Sequence, residues 1–185
     1  MDDTNSLLRA LLAYAWAPAL ALAGALDWAL HRQQRIELTA GLKESVLHLI
    51  MMAAVGSGLL AALLLQTTAG VLLLIGLLAL LHEGLYLVDL KVALASRPIP
   101  LAEQWVHGFQ HLLPWAGLAG MVALAPSQAA ALIGQGIEPA DWSWRWAASP
   151  PSTLYLSTLL AAALMLNIVP FAEEWWRCLR AWQRR

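Results

Sequence analysis

The sequence predicts an all-α, polytopic membrane bundle of about five transmembrane helices, with its N-terminus outside and its C-terminus in the cytoplasm. Three observations predict it. Of the 185 residues, 60% are hydrophobic and only 12% are charged, where a globular domain is about half apolar and about a quarter charged. The mean hydropathy is +0.62. From Leu49 to Leu81 no charged residue occurs at all. Such a composition excludes a disordered chain and a nucleic-acid binder, and speaks against an ordinary water-soluble enzyme.

Each span follows from the need for about 20 mostly apolar residues to cross the hydrocarbon core. The first runs from about Leu7 to His31, with Arg9 and Asp27 as its only charges. The uncharged stretch is too long for one helix, and Gln66-Thr67-Thr68-Ala69-Gly70 carries turn chemistry in its middle. It divides into a second span, about Leu42 to Leu65, and a third, about Gly70 to Ala95. Arg97-Pro98-Ile99-Pro100 breaks the chain, and the fourth span follows from Leu101 to Ala125. Pro126 to Pro151 reads as a loop, whose Trp142, Trp144 and Trp146 suit an interfacial anchor. The fifth span runs from about Ser152 to Trp176. Pro18, Pro114 and Pro170 lie inside spans and are kink candidates. Residues 1–185 read as one domain without repeats. The acidic start, Met1-Asp2-Asp3, is unlike a secretory signal.

Charge placement sets the orientation. Nine of the eleven basic residues fall on one side of this topology: Arg32, Arg35, Lys43, Lys91, Arg97, Arg177, Arg180, Arg184 and Arg185. The positive-inside rule makes that side cytoplasmic, as in a bacterial inner membrane. Cys178 is the only cysteine, so neither an internal disulfide nor a cysteine-built zinc site is available.

The chemistry concentrates on that side. The first span ends with Asp27 and His31, and the second begins with Glu44 and His48. The third carries His82, Glu83, Tyr86 and Asp89, and the fourth begins with Glu103, His107 and His111. Side chains four apart share a helix face, so each span presents a short polar ladder. The topology brings the ladders to one depth. Adjacent His82 and Glu83 point roughly 100° apart, so they serve different ions or one of them stands behind the ligands. The fifth span has no histidine, and its Glu173 and Glu174 sit beside the arginine tail, so it reads as plain.

Ionisable groups at membrane depth mark function. Neutral imidazole and ionised carboxylate are both metal ligands, so Asp27, His31, Glu44, His48, His82, Glu83, Glu103, His107 and His111 are the candidate ligands, with Tyr86 and Asp89 behind them. The set suits two metal ions, iron by ligand type, and resembles soluble di-iron bundles in chemistry though not in spacing. His107-x-x-x-His111 resembles the first histidine box of membrane fatty-acid desaturases and hydroxylases; their His-x-x-His-His boxes are absent from this sequence.

The reading that follows is a membrane-embedded di-iron oxidoreductase. It would act on a lipid or another apolar small molecule near the cytoplasmic face and be fed by an electron donor. A zinc-dependent intramembrane hydrolase uses the same ligand types, and a haem-binding electron-transfer subunit would use the histidines as axial ligands. A transporter fits poorly, because the polar groups stop on one side.

Overall fold

The computed structural model describes residues 2–184. Helix covers 81% of the chain, and no strand occurs among the described residues. Four helices are long and apolar enough to cross a membrane: α1 (Asp3–Gln34), α2 (Leu42–Leu64), α3 (Ala69–Ser96) and, later in the chain, Thr153–Gln183. Leu101–Leu124 (α4) reaches that standard only together with Pro126–Leu132 (α5), from which it is bent by 105°. Thr153–Gln183 is α6. The segment 126–151 is therefore not loop throughout. Proline in the first turn and the alanines of Pro-Ser-Gln-Ala-Ala-Ala-Leu support a seven-residue helix.

Local chemistry explains the boundaries. Between α1 and α2, Arg35 (φ 55°) and Gly41 (φ 62°) adopt left-handed φ values. The Gly41 conformation, with ψ −134°, is open to glycine because it has no Cβ. Thr68 caps α3, its hydroxyl accepting from the Val71 amide at 3.3 Å. Pro98 disfavours helical backbone at Arg97, which is extended. Ser152 caps α6 through the Tyr155 amide at 3.2 Å.

The three prolines act differently. Pro18 and Pro170 each follow a wide π-type turn, Leu12–Trp16 and Leu164–Ile168. A proline ring clashes with the carbonyl four residues earlier, and widening the preceding turn relieves the clash. Pro114 lies inside the unbroken helix α4, where Trp16 Nε1 donates to the adjacent Leu113 carbonyl at 2.7 Å.

Small residues let the helices close up. A Cβ on Gly117 would lie 2.1 Å from the Trp16 ring, and one on Gly24 would lie 1.9 Å from Asn167 Oδ1. An apolar core of Leu12, Ala61, Val71, Leu72, Ile75 and Met121 fills one end of the bundle. There the segment after α5 doubles back on the α2–α3 turn. Gln66 N donates to Arg145 O at 2.9 Å, Ala147 N to Leu64 O at 2.8 Å and Gly70 N to Asp141 O at 3.1 Å. The Ser143 hydroxyl (2.6 Å) and amide (2.9 Å) both donate to Asp141 Oδ1. These bonds, with Arg145 alongside, hold the Asp141 carboxyl below its ordinary range. Trp142, Trp144 and Trp146 project outward from this segment, each more than half exposed.

Candidate metal centre

The other end of the bundle is polar inside. The last turns of α1, α3 and α6 and the first turns of α2 and α4 meet there. They bury Asp27, His31, Glu44, His48, Asp89, Glu103, His107 and Glu174, together with Arg97. A single charge at the centre of a spanning helix costs about 2.5–3.5 kcal/mol on insertion scales, so five carboxylates in one cluster require compensation.

Four donor atoms form a ring. His31 Nε2 lies 3.4 Å from Asp27 Oδ1 and 3.3 Å from Glu103 Oε1, and His107 Nε2 lies 3.2 Å and 3.7 Å from the same two oxygens. A tetrahedral ion with bonds of about 2.0–2.1 Å places its ligand atoms about 3.3 Å apart. Asp27, His31 and His107 also form one of two three-residue groups able to hold an ion, their donor atoms all within 4.8 Å of one another. The second group is His31, Glu44 and His48. Next to it, His48 Nε2 stands 3.3 Å from Asp89 Oδ1.

The donors are near one another without being bonded to one another. Asp27 Oδ1, His31 Nε2, Glu44 Oε2, His48 Nε2 and Asp89 Oδ1 are all buried and lack an aligned hydrogen bond among the described residues. Their opposite ring nitrogens are engaged. His31 Nδ1 and His48 Nδ1 lie 3.2 Å and 2.8 Å from the two carboxylate oxygens of Glu174. With an ion bound, Glu174 would accept the Nδ1 proton of each ring and leave both Nε2 atoms to the ion, the arrangement found behind metal-bound histidines. The two rings stack with centroids 4.6 Å apart at 13°.

Arg97 covers the cluster. Its Nη2 donates to Glu44 Oε1 at 2.7 Å and to Glu103 Oε1 at 2.6 Å, and its Nη1 to Glu103 Oε2 at 2.9 Å and Gln34 Oε1 at 2.5 Å. Gln34 in turn donates to Glu103. Five carboxylates against one guanidinium leave four negative charges when the three imidazoles are neutral, a balance that two divalent ions would cancel.

Several expectations change here. Asp27, His31, Glu44, His48, Glu103 and His107 converge as the ladders require, and Asp89 joins them. His82, Glu83 and His111 do not reach the ring. Glu83 pairs with His111 at 2.8 Å at a partly exposed position between α3 and α4, and His82 is buried outside both three-residue groups. Tyr86 lies between the two regions, its ring centroid 6.0 Å from that of His107 and 5.5 Å from that of His111.

The fifth span is not plain, because Glu174 holds two of the histidines. Its signal was a buried stripe, Phe171, Glu174 and Cys178, at helical spacing on an otherwise charged helix. Glu173, its neighbour, points elsewhere and bonds Trp28 and Arg32. Arg97 is a site residue rather than only a topological charge. Compared with protein-family models, curated proteins and solved structures, the chain matches none.

Proposed function

We propose that this protein is a membrane-embedded di-metal oxidoreductase. Asp27, His31 and His107 hold one ion with Glu103 beside them, Glu44 and His48 face the other with His31 between the two and Asp89 next to His48, and Glu174 orients His31 and His48. The observation that carries this reading is the set of buried donor atoms that lie 3.2–3.7 Å apart around Asp27 Oδ1 and Glu103 Oε1. Atoms placed side by side at that spacing, rather than aimed at one another, suit a shared ion.

Iron is the metal that the mixed imidazole and carboxylate donors favour for redox chemistry, and a pair of irons would supply the activation of dioxygen. The chain's own residues provide the surroundings. Arg97 and Gln34 restrain Glu103 and close the site toward the chain links, while Tyr86 borders it on the side of the bundle interior. The substrate would be a lipid or another apolar molecule, and electrons would come from a separate donor. The basic residues at this end argue for its lying at the cytoplasmic face, with the bacterial inner membrane as the setting.

The stacked contact between His31 and His48 leaves no gap for a porphyrin between those two rings. Elemental analysis and visible spectroscopy of the detergent-purified protein test the reading. About two irons per chain are expected without a Soret band, with iron lost in both Asp27→Ala and His48→Ala. Full folding with no bound metal after gentle purification would overturn it.

A further inference from the structure

The interior of the bundle is not filled evenly between its two ends. Between the apolar core and the buried cluster, α1, α2, α3 and α4 leave a cavity of about 30 Å³. Trp16 supplies one wall, Ala54 and Gly58 a second, Ala79 a third, and Pro114 and Gly117 a fourth. Packing does not close it, because its walls are short or pinned. A Cβ on Gly58 would meet nothing nearer than Leu78 Cδ1 at 3.9 Å. The Trp16 ring is held in place, since its Nε1 donates to the Leu113 carbonyl at 2.7 Å and the ring presses on Gly117.

Size and polarity restrict what such a space takes up. One water-sized particle needs about 10–15 Å³, whereas an apolar cavity that takes up benzene measures about 150 Å³. The cavity therefore suits a particle of about two heavy atoms, and a methylene chain or an aromatic ring is too large for it. Water is disfavoured, because a buried water needs about two to four polar partners. The lining side chains offer one N–H, that of Trp16, and it is already bonded. Dry apolar cavities instead take up apolar gases such as xenon.

Placement connects the cavity to both the lipid and the cluster. Val55, Leu59 and Leu118 line it and are only half-buried, so it borders the lipid-facing surface. Along the bundle, Ala54 stands roughly 9 Å beyond His48 and Pro114 roughly 10 Å beyond His107, at 1.5 Å per residue. We propose that this cavity is a binding site for dioxygen. Dioxygen has two heavy atoms, is nonpolar, and dissolves better in hydrocarbon than in water. The choice of dioxygen among apolar gases rests on the oxidoreductase reading, in which the metal centre consumes it.

The test uses the full-length, metal-depleted protein in lipid nanodiscs, with methionine and alanine methyl groups labelled for NMR. Xenon is the first probe, and dioxygen, which is paramagnetic, is the second. Xenon under pressure should shift the Met121, Ala54 and Ala79 methyl signals saturably. Dioxygen should broaden the same signals and be displaced by xenon. Gly58→Val fills the space and should weaken xenon uptake about tenfold, the worth of one well-packed ligand atom. Gly58→Ala fills less of it and should weaken uptake in the same direction, which keeps the test valid if valine prevents folding. Gly56→Val is the control: a Cβ there meets nothing within 4 Å, and Gly56 does not line the cavity. Absence of saturable xenon shifts at these methyls, or unchanged uptake in both folded Gly58 variants, would overturn the site. Xenon uptake that dioxygen does not match would overturn the occupant, as would magnetisation transfer to these methyls from water or lipid chains. Iron is measured separately on untreated protein. Gas uptake without iron would remove the oxidoreductase reading and leave a gas site, whereas iron without gas uptake would remove this site alone.

Discussion

The two ends of the bundle solve opposite problems. At the end holding the α2–α3 turn, the interior is Leu12, Ala61, Val71, Leu72, Ile75 and Met121, and the polar backbone of the returning segment is paired strand-fashion with the turn. Stability there is a matter of shape. At the other end the interior holds five carboxylates, three imidazoles and a guanidinium, and stability is a matter of charge compensation. A substitution that removes one atom group should therefore read out differently at the two ends: as packing loss at the first, and as uncompensated charge or lost metal at the second.

The largest effect expected from this contrast is at Arg97. Removing one partner of a buried ionic group costs about 3–5 kcal/mol, because the remaining charges lose their counter-ion. Arg97→Gln should lower the unfolding free energy of the chelator-treated protein by that order, measured by denaturant titration in detergent. A loss below about 1 kcal/mol, the worth of a surface pair, would show that Glu44 and Glu103 do not rely on the guanidinium.

The comparison of Glu174 with Glu173 comes next. Replacing the group behind a metal-bound histidine costs about 10–100-fold in metal affinity, and Glu174 stands behind both His31 and His48 in the proposed centre. Glu174→Ala should reduce metal occupancy by at least that factor in competitive chelator titrations. Glu173→Ala should leave occupancy unchanged, since its contacts are Trp28, Arg32 and Arg177 at the rim. Equal behaviour of the two variants would remove Glu174 from the site.

At the apolar end, overpacking typically costs about 1–3 kcal/mol. Gly117→Ala forces a methyl group into the Trp16 ring and should destabilise by that order while leaving metal content intact. A metal loss as large as that of Glu174→Ala would mean that the two ends are not separable. The smallest effect is at Asp141. Its carboxyl is held below the ordinary range, so its contribution is present above the unfolded-state value and is lost as pH falls through the folded-state value. Acidification should loosen the 141–147 clasp before the core, seen as earlier amide exchange at Ser143. Asp141→Asn should abolish that pH dependence, and an unchanged acid profile would show that the clasp rests on its backbone bonds.

Much of this architecture was legible in the sequence for a simple reason. Span length, turn chemistry and capping are local, so the uncharged run from Leu49 to Leu81 and the Gln66–Gly70 turn located α2 and α3 to within a residue or two. Ladders at a spacing of four could be placed on one face, and antiparallel order brought Asp27, His31, Glu44, His48, Glu103 and His107 to one end. The α5 helix escaped because an alanine-rich stretch after a proline reads equally well as loop.

Composition and periodicity by themselves thus determined a helical chain, where it turns, and which end carries the chemistry. They could not determine which way each helix is rotated about its axis. A rotation of about 100° separates neighbouring residues, and that angle turned Glu174 inward and Glu173 to the rim. It also left Glu83 and His111 in a partly exposed pair away from the ring. Rotation is decided only when all the helices pack, by contacts such as Trp16 on Gly117 and Asn167 on Gly24. The candidate residues were therefore readable as a set, while their grouping into one buried cluster and one partly exposed pair belonged to the tertiary structure alone.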